Sequence, residues 1–305
     1  MGLGKIGEFG LIRELRKMTR VDLSVRIGIG DDTAVLRPKP GKEILFTTDM
    51  LIEDRHFLLK EATPFEIGWK AMAVNVSDIA AMGGVPTHAV VAVALPKNSS
   101  LSFVKELYRG LLAVSKKFGV NIVGGDTNRS GKLVVSVALL GEVSKKALLT
   151  RSGAKLGDVI FVTGELGGAY KSRKHLNFVP RIREAQFLVS HFKVNAMIDI
   201  SDGLSSDLRR ITEESGVGAV VCAEAVPLSK NAGNVQAALC EGEDFELLFT
   251  MSPAEAAKLS TTILKDPMAK FSPVGKIVPR REGVKIISAG SKAEPLPEKG
   301  FDHFK

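Results

Sequence analysis

The stretch Val74–Gly84, VNVSDIAAMGG, closes a segment, Pro64–Met82, that is apolar on nearly every side. Ile67, Ala71 and Val74 recur at the spacing of one helix face, and Asp78 continues that stripe. An isolated ionised carboxylate on a buried stripe costs tens of kcal/mol by Born solvation. Asp78 therefore has to be paired, hydrogen-bonded, metal-bound or protonated. The helix also sets the alternation that decides the fold. EILFTTD (Glu43–Asp49) precedes it as a strand, and THAVVAVALP follows it as another.

The same alternation runs outward along the chain. Leu3–Met18 has the pattern of an amphipathic helix, and Leu101–Phe118 reads as a further helix. VNIVGGDT (Val120–Thr127) reads as a strand entering a Gly-rich turn, and Lys132–Val143 as the next strand. A polar break follows at Leu148–Asp158, LLTRSGAKLGD. Beyond it come strand VIFVTG, helix Arg181–His191, strand Ala196–Ser201, helix Gly203–Ser215 and strand GAVVCAE. FELLFTM, helix Pro253–Ile263 and strands near Phe271–Val278 and Val284–Ser288 complete the chain. Strands alternating with helices in both halves predict two α/β domains, residues 1–147 and 148–305.

Composition narrows the class. Of 305 residues, 45% are apolar and 25% charged, the profile of a soluble globular protein. The apolar runs are too short to span a bilayer, and no signal-peptide layout opens the chain, so no membrane role is expected. Two cysteines, Cys222 and Cys240, make no disulfide framework and point to a reducing, cytoplasmic setting. The net charge of +8 fits either a solvated basic surface or a field that attracts polyanions such as nucleotides. The basic residues are scattered and carry no aromatic-basic signature, which argues against nucleic acid.

Acids gather where strands or helices end, beside Gly, Ser or Thr. They are Asp31 and Asp32 in GIGDDTAVL, Asp49 after Thr47 and Thr48, Asp78, and Asp126 after Gly124 and Gly125. In the second half they are Asp199 and Asp202 around Ser201, then Glu243 and Asp244 in EGEDFELLF. Each alone is ordinary cap or turn chemistry. Together, an oxygen-rich set at element ends suits Mg²⁺, held by a few carboxylates and substrate phosphates. HExxH, CxxC pairs and clustered His are absent, which disfavours zinc. GLGKIG (Gly2–Gly7) fits GxGxxG but lacks the strand that a dinucleotide site requires. GELGGAYKS (Gly164–Ser172) lacks P-loop spacing and reads as a tight strand-to-helix turn within reach of a phosphate.

GIGDDTAVL, TTDMLIEDRHF, KAMAVNVSDIAAMGG, GGDTNRS, LTRSGAKLGD, IDISDGLSSDL, EGEDFELLF and GFDHF stand in one order. In that order the chain resembles the thiamine-monophosphate kinase family of the aminoimidazole-ribonucleotide-synthetase-like superfamily, over about residues 7–304. The resemblance implies a two-domain α/β (α+β) fold. It implies an N-terminal ATP- and Mg²⁺-binding domain that dimerises through its sheet, and a C-terminal α/β domain. It implies transfer of the ATP γ-phosphoryl group to thiamine monophosphate, with several Mg²⁺ ions and no covalent nucleophile on the protein. Asp32, Thr47, Thr48, Asp49, Asp78, Asp126, Asp199 and Asp202 match its metal positions, of which Asp78, Asp126 and Asp202 act through the metal. Tyr108, Gly125, Asp126, Arg151 and Ser201 match nucleotide contacts, and His56, Glu243 and Phe301 match substrate contacts. Two departures stand out: Glu241 replaces the first of a usual Gly pair, and Tyr170–Pro180 is short.

Sibling enzymes are the nearest alternatives. A selenophosphate synthetase would carry a reactive residue near its N-terminus, and here no Cys precedes Cys222. An aminoimidazole ribonucleotide synthetase would lack GFDHF. A non-catalytic nucleotide or metal sensor on the same fold would bind ATP and Mg²⁺ without turnover.

Overall fold

The structure, a computed structural model, describes residues 14–27, 35–36, 39–265, 270–298 and 300. The described part of Leu3–Met18 is helical over 14–18. The chain divides into two compact units, residues 1–79 with 84–145, and 80–83 with 146–305.

In the first unit, strands β1 (Val25–Ile27) and β2 (Val35–Leu36) form a small antiparallel pair. The main sheet has four strands: β3 (Glu43–Ile52), β4 (Val85–Leu95), β5 (Asn121–Arg129) and β6 (Val134–Val143), in the order β3-β6-β4-β5. Only β4 and β5 run parallel. Helices α1 (Pro64–Ala81) and α2 (Leu101–Phe118) accompany it. A capping box starts α1: the Thr63 hydroxyl accepts from the Glu66 amide at 3.2 Å, and the Glu66 carboxylate accepts from the Thr63 amide at 2.8 Å. The two helices meet backbone to backbone at Gly68 and Gly110. A Cβ at Gly68 would fall 1.9 Å from the Leu107 carbonyl oxygen, and one at Gly110 2.0 Å from that of Phe65.

Burial alternates along β3 as a two-faced strand requires. Leu45 and Leu51 are buried, whereas Ile44, Phe46, Thr48 and Met50 are exposed. The register sets Thr48 beside Ala138 and Ala138 beside Val90 on one face; it sets Asp49 beside Val137 and Val137 beside Val91 on the other.

The second unit carries a seven-stranded sheet in the order β13-β12-β9-β11-β7-β10-β8. Its strands are β7 (Val159–Thr163), β8 (Val194–Asp199), β9 (Gly218–Cys222), β10 (Leu247–Met251), β11 (Phe271–Val278), β12 (Val284–Ile287) and β13 (Glu294–Pro295). Only β9 and β12 pair in parallel. Its helices are α3 (Lys174–Asn177), α4 (Ile182–His191), α5 (Leu204–Ser215), α6 (Val235–Cys240) and α7 (Pro253–Lys265). Every residue of β10 is buried, and Leu248 shares a core with Ile160, Ile198, Leu208 and Ile211. On β7 and β10, Phe161 stacks on Phe249 at 5.3 Å.

The mixed architecture agrees with the α/β (α+β) reading, but the sheets are largely antiparallel. The rule that ligands gather at the ends of parallel strands therefore applies weakly here. The Gly-rich turn expected after Val123 is strand instead. Gly124 and Gly125 lie inside β5, and a Cβ at Gly125 would fall 2.0 Å from the Val91 carbonyl oxygen. The close approach of β4, not a turn, requires that glycine.

Candidate active site

In the first unit, β3 and α1 bring Thr47, Asp49 and Asp78 together. The Thr47 hydroxyl donates to the Asp78 carboxylate at 2.5 Å. Burial pushes the Asp49 carboxyl up from its ordinary range, and the charge and contact of Asp78 push it further. Two carboxylates thus share one half-buried spot with a hydroxyl that supplies a hydrogen bond and no charge. This resolves the puzzle of Asp78 only in part, because its neighbour is a like charge.

Thr48 and Asp126 lie on the opposite face of the sheet. Thr48 donates to the Val137 carbonyl at 3.0 Å. Asp126 stands beside Ala92 in the β4–β5 register, exposed, and accepts from the Asn128 amide group at 2.6 Å. Among the described residues of this unit, Thr47, Thr48, Asp49, Asp78 and Asp126 do not gather into one cluster. Among the described residues, no three His, Cys, Asp or Glu side chains converge as a metal-binding group. Asp31 and Asp32 lie outside the described residues.

His56 sits in the turn after β3. Its Nδ1 accepts from the Ile52 amide at 3.0 Å, so the neutral ring carries its proton on Nε2 and can donate there. Its carbonyl accepts from Lys70 Nζ at 2.9 Å. Lys70 is a fully buried lysine that sequence reading missed. Its place on α1, four residues before Val74, was the available signal. Tyr108, expected as a nucleotide contact, is only 4% exposed and packs in α2 with Val104, Leu107 and Leu111. That position makes it a core residue of its own unit.

In the second unit, two loops are laced together. The Glu243 amide donates to the Ser201 carbonyl at 2.7 Å, Phe245 to Ile200 at 2.8 Å, and Ile200 to Glu246 at 2.7 Å. Ser201, Asp202 and Glu243 are thereby neighbours, and Asp199, at the end of β8, is paired with Leu247. Asp202 forms an ion pair with Arg210, and its amide donates to Asp207 at 3.1 Å. Asp207 is fully buried, with Oδ1 lacking a hydrogen-bond partner among the described residues. Burial first, and then Asp202, push its carboxyl up to about 7, while Arg210 and Arg151 act against that shift. Arg151 thus belongs to the same electrostatic neighbourhood. Sequence reading passed over Asp207, although Leu204, Asp207, Leu208 and Ile211 form the same kind of stripe that exposed Asp78.

The turn 241–245 is strained. Gly242, Glu243 and Phe245 adopt φ of 69°, 61° and 49°, a region that costs a non-glycine residue roughly 1–3 kcal/mol. Carboxylates hold it in place. Asp244 accepts from the Gly167 amide at 3.0 and 2.9 Å, and Glu241 accepts from the Gly168 amide at 2.8 Å. The Glu241 departure therefore has a structural use: it ties this turn to loop 164–173. Burial pushes Asp244 up to about 6. Phe301 lies outside the described residues.

The sequence matches the family profile described as AIR synthase related protein, N-terminal domain, over residues 30–143, and the corresponding C-terminal domain over 143–287. It is 35% identical to the thiamine-monophosphate kinase of Bacillus subtilis, over 98% of this chain and 99% of that protein. It is 38% identical to that of Rhodopirellula baltica, over 97% of each. The chain belongs to the thiamine-monophosphate kinase family. Among solved members, the Stenotrophomonas maltophilia enzyme superposes with a TM-score of 0.81 at 31% identity, covering 93% of this chain and 97% of that one. AaThiL complexed with AMPPCP and TMP gives 0.75 at 32%, over 100% and 99%. The hydrogenase maturation protein HypE of E. coli shares the fold, with a TM-score of 0.78 at 20% identity.

The oxygen donors suit a hard cation. A like-charge carboxylate pair with a hydroxyl on the first unit is improved by positive charge, whereas Asp207 on the second already has Arg210 Nη1 3.6 Å from its Oδ1.

Proposed function

We propose that this protein phosphorylates thiamine monophosphate with ATP, yielding thiamine diphosphate and ADP. The reading rests on end-to-end kinship with the thiamine-monophosphate kinases. The observation within the molecule that supports it is the Asp49–Asp78 pair, two half-buried carboxylates brought into contact on β3 and α1 beside the Thr47 hydroxyl. Such a pair is poorly suited to a structural task and well suited to holding Mg²⁺.

An oxygen of the acceptor phosphate forms the new bond to the γ-phosphorus, and the bond from that phosphorus to the ADP oxygen breaks. A phosphate monoester has its second pKa near about 6 and is largely dianionic at neutral pH, so no strong base is needed. The main obstacle is repulsion between two polyanions. On this reading Thr47, Asp49 and Asp78 would hold Mg²⁺ on one face of the first unit's sheet, Thr48 and Asp126 would serve a further ion on the other, with Asp32 as another ligand, and Asp199 and Asp202 would hold Mg²⁺ in the second unit. Bound Mg²⁺ neutralises phosphate charge and helps align the attacking and leaving oxygens. Arg151 adds a guanidinium fork for a phosphate, and Arg210 and Asp207 hold Asp202 in orientation. His56 offers its Nε2 proton to an acceptor oxygen. Ser201 and Gly125 contact the nucleotide, and Glu243 faces the cationic thiazolium.

Residues 1–147 act as the nucleotide-binding and dimerising part, and 148–305 as the second domain. Support for a homodimer comes from the uncovered sheet face of the first unit, where Ile44, Phe46, Met50 and Val90 are 54%, 73%, 52% and 41% exposed. Contiguous apolar surface of this kind marks an interface. The free cysteines Cys222 and Cys240 suit the cytoplasm, and no helix among the described residues is long and apolar enough to cross a membrane.

The test is chromatographic separation of products from ATP and thiamine monophosphate, with Mg²⁺ and with EDTA. Thiamine diphosphate formed only with Mg²⁺ is expected. ATP–Mg²⁺ binding without that product would remove the substrate assignment.

A further inference from the structure

Tyr170 lies in loop 164–173, which Asp244 and Glu241 pin to the Glu243 turn through the Gly167 and Gly168 amides. The residue is 45% exposed, unusual for so large a residue in so tightly bonded a loop. One side of it leans on His175, with ring centroids 4.4 Å apart and planes inclined by 34°. His175 is itself buried, and its Nδ1 lies 3.1 Å from the Ala169 carbonyl. The imidazole is thus a fixed backing for the phenol ring. Glu243 is near enough for its charge to add to burial in raising the Tyr170 phenol above its ordinary range. A second aromatic pair, Phe178 on Phe245 at 4.0 Å, braces the other end of the same turn. A half-exposed aromatic ring on loop 164–173 and the Glu243 carboxylate therefore belong to one bonded pair of loops, the ring backed by His175 and the turn held by Asp244 and Glu241.

We propose that Tyr170 forms the aromatic wall of the acceptor site, its ring packing against the cationic heteroaromatic part of the substrate that Glu243 neutralises. An aromatic face attracts a cation through its quadrupole, and a carboxylate beside it adds direct attraction. The neutral reading is a surface tyrosine that merely covers His175. The two differ in what a ring at this position does for substrate affinity. The inference rests on the kinase reading above.

The experiment measures KM for thiamine monophosphate and for ATP, with thermal melting, for wild type, Tyr170→Ala, Tyr170→Phe and Tyr170→Leu. A lost cation–π contact of about 0.5–2 kcal/mol raises KM by about 2- to 30-fold. That rise is expected for thiamine monophosphate in the Ala and Leu variants, with ATP KM and melting temperature unchanged. Tyr170→Phe should match wild type, because the ring face and not the hydroxyl makes the contact. An unchanged thiamine monophosphate KM in Tyr170→Ala overturns the proposal. So does a parallel rise in ATP KM, or a Phe variant as weak as the Ala variant. Wild type that forms no thiamine diphosphate removes the kinase reading itself; wild type that forms it while Tyr170→Ala is indifferent removes only the aromatic wall.

Discussion

Replacing Asp78 with Asn separates function from folding with unusual clarity, because the two should move in opposite directions. In the metal-free protein Asp78 faces Asp49 within contact, under partial burial. Two like unit charges about 4 Å apart repel by about 4 kcal/mol at an effective dielectric of about 20, which is a ceiling. Sharing a proton relieves part of this, so Asp78→Asn should stabilise the metal-free protein by about 1–3 kcal/mol at pH 8. The Thr47 hydroxyl still has an oxygen to donate to. For domains of this size that corresponds to about 2–4 °C of melting temperature per kcal/mol. The sign with pH follows from the raised Asp49 pKa. A carboxyl whose folded pKa is raised favours the fold at low pH and loses that contribution as pH climbs through the raised value. The gap between variant and wild type should therefore be largest at pH 8 and close toward pH 5. Mg²⁺ should stabilise wild type and stabilise the variant much less. Thiamine diphosphate formation should fall by about 10²-fold or more, the scale of losing one preorganised charge-stabilising group. Denaturant titrations in EDTA and in Mg²⁺, with product assays, test all of this. A variant less stable than wild type in EDTA at pH 8, or one with near wild-type turnover, would refute the reasoning.

Phe46→Glu should convert a dimer to monomers, read by sedimentation, because it sets a charge on the most exposed apolar residue of the open sheet face; wild type that sediments as a monomer would end that reading. Glu246→Ala should cost about 1.5–3 kcal/mol in denaturant, since it removes the carboxylate now 2.7 Å from Lys174 and 2.6 Å from Arg181 and leaves them Asp244 at 3.9 Å and Glu184 at 2.9 Å; a loss under about 1 kcal/mol would contradict this. Burial lowers the His88 pKa, opposed by Asp22 and Glu142 and aided by Lys39. Its contribution to stability is therefore present above the ordinary histidine range and lost as pH falls below it. His88→Gln should flatten that limb of the stability–pH curve, and an unchanged limb would assign the pH dependence to other groups.

Much of the fold was legible because periodicity is a local signal. The helix expected near Leu101–Phe118 appears there, closed by Gly119 at φ 75°. The short helices Lys174–Asn177 and Val235–Cys240 were missed, being too brief to show a period. The acids were legible as candidates but not as a geometry. Thr48 and Asp49 are adjacent in sequence, yet the pleat sends them to opposite faces of the sheet. A one-residue slip of register would exchange them, and no local pattern fixes register across strands so far apart in the chain. Tyr108, matched to a nucleotide contact by family resemblance, lies on a helix whose own apolar stripe places it among the buried residues.

The two units handle local cost differently, and the difference bears on where a ligand is needed. The left-handed backbone at Glu243 and Phe245 is matched by carboxylate–amide bonds from Asp244 and Glu241, so this turn is complete without help from outside the chain. At the Asp49–Asp78 contact the bond that Thr47 donates brings no charge, and the two carboxylates repel. On the proposed reading, a cation and the phosphates it accompanies would relieve that repulsion. On the proposed reading, Glu243 meets the acceptor from a turn that is already held in place. The first unit should therefore gain stability on Mg²⁺ binding, whereas the acceptor turn should bind with little change in its backbone.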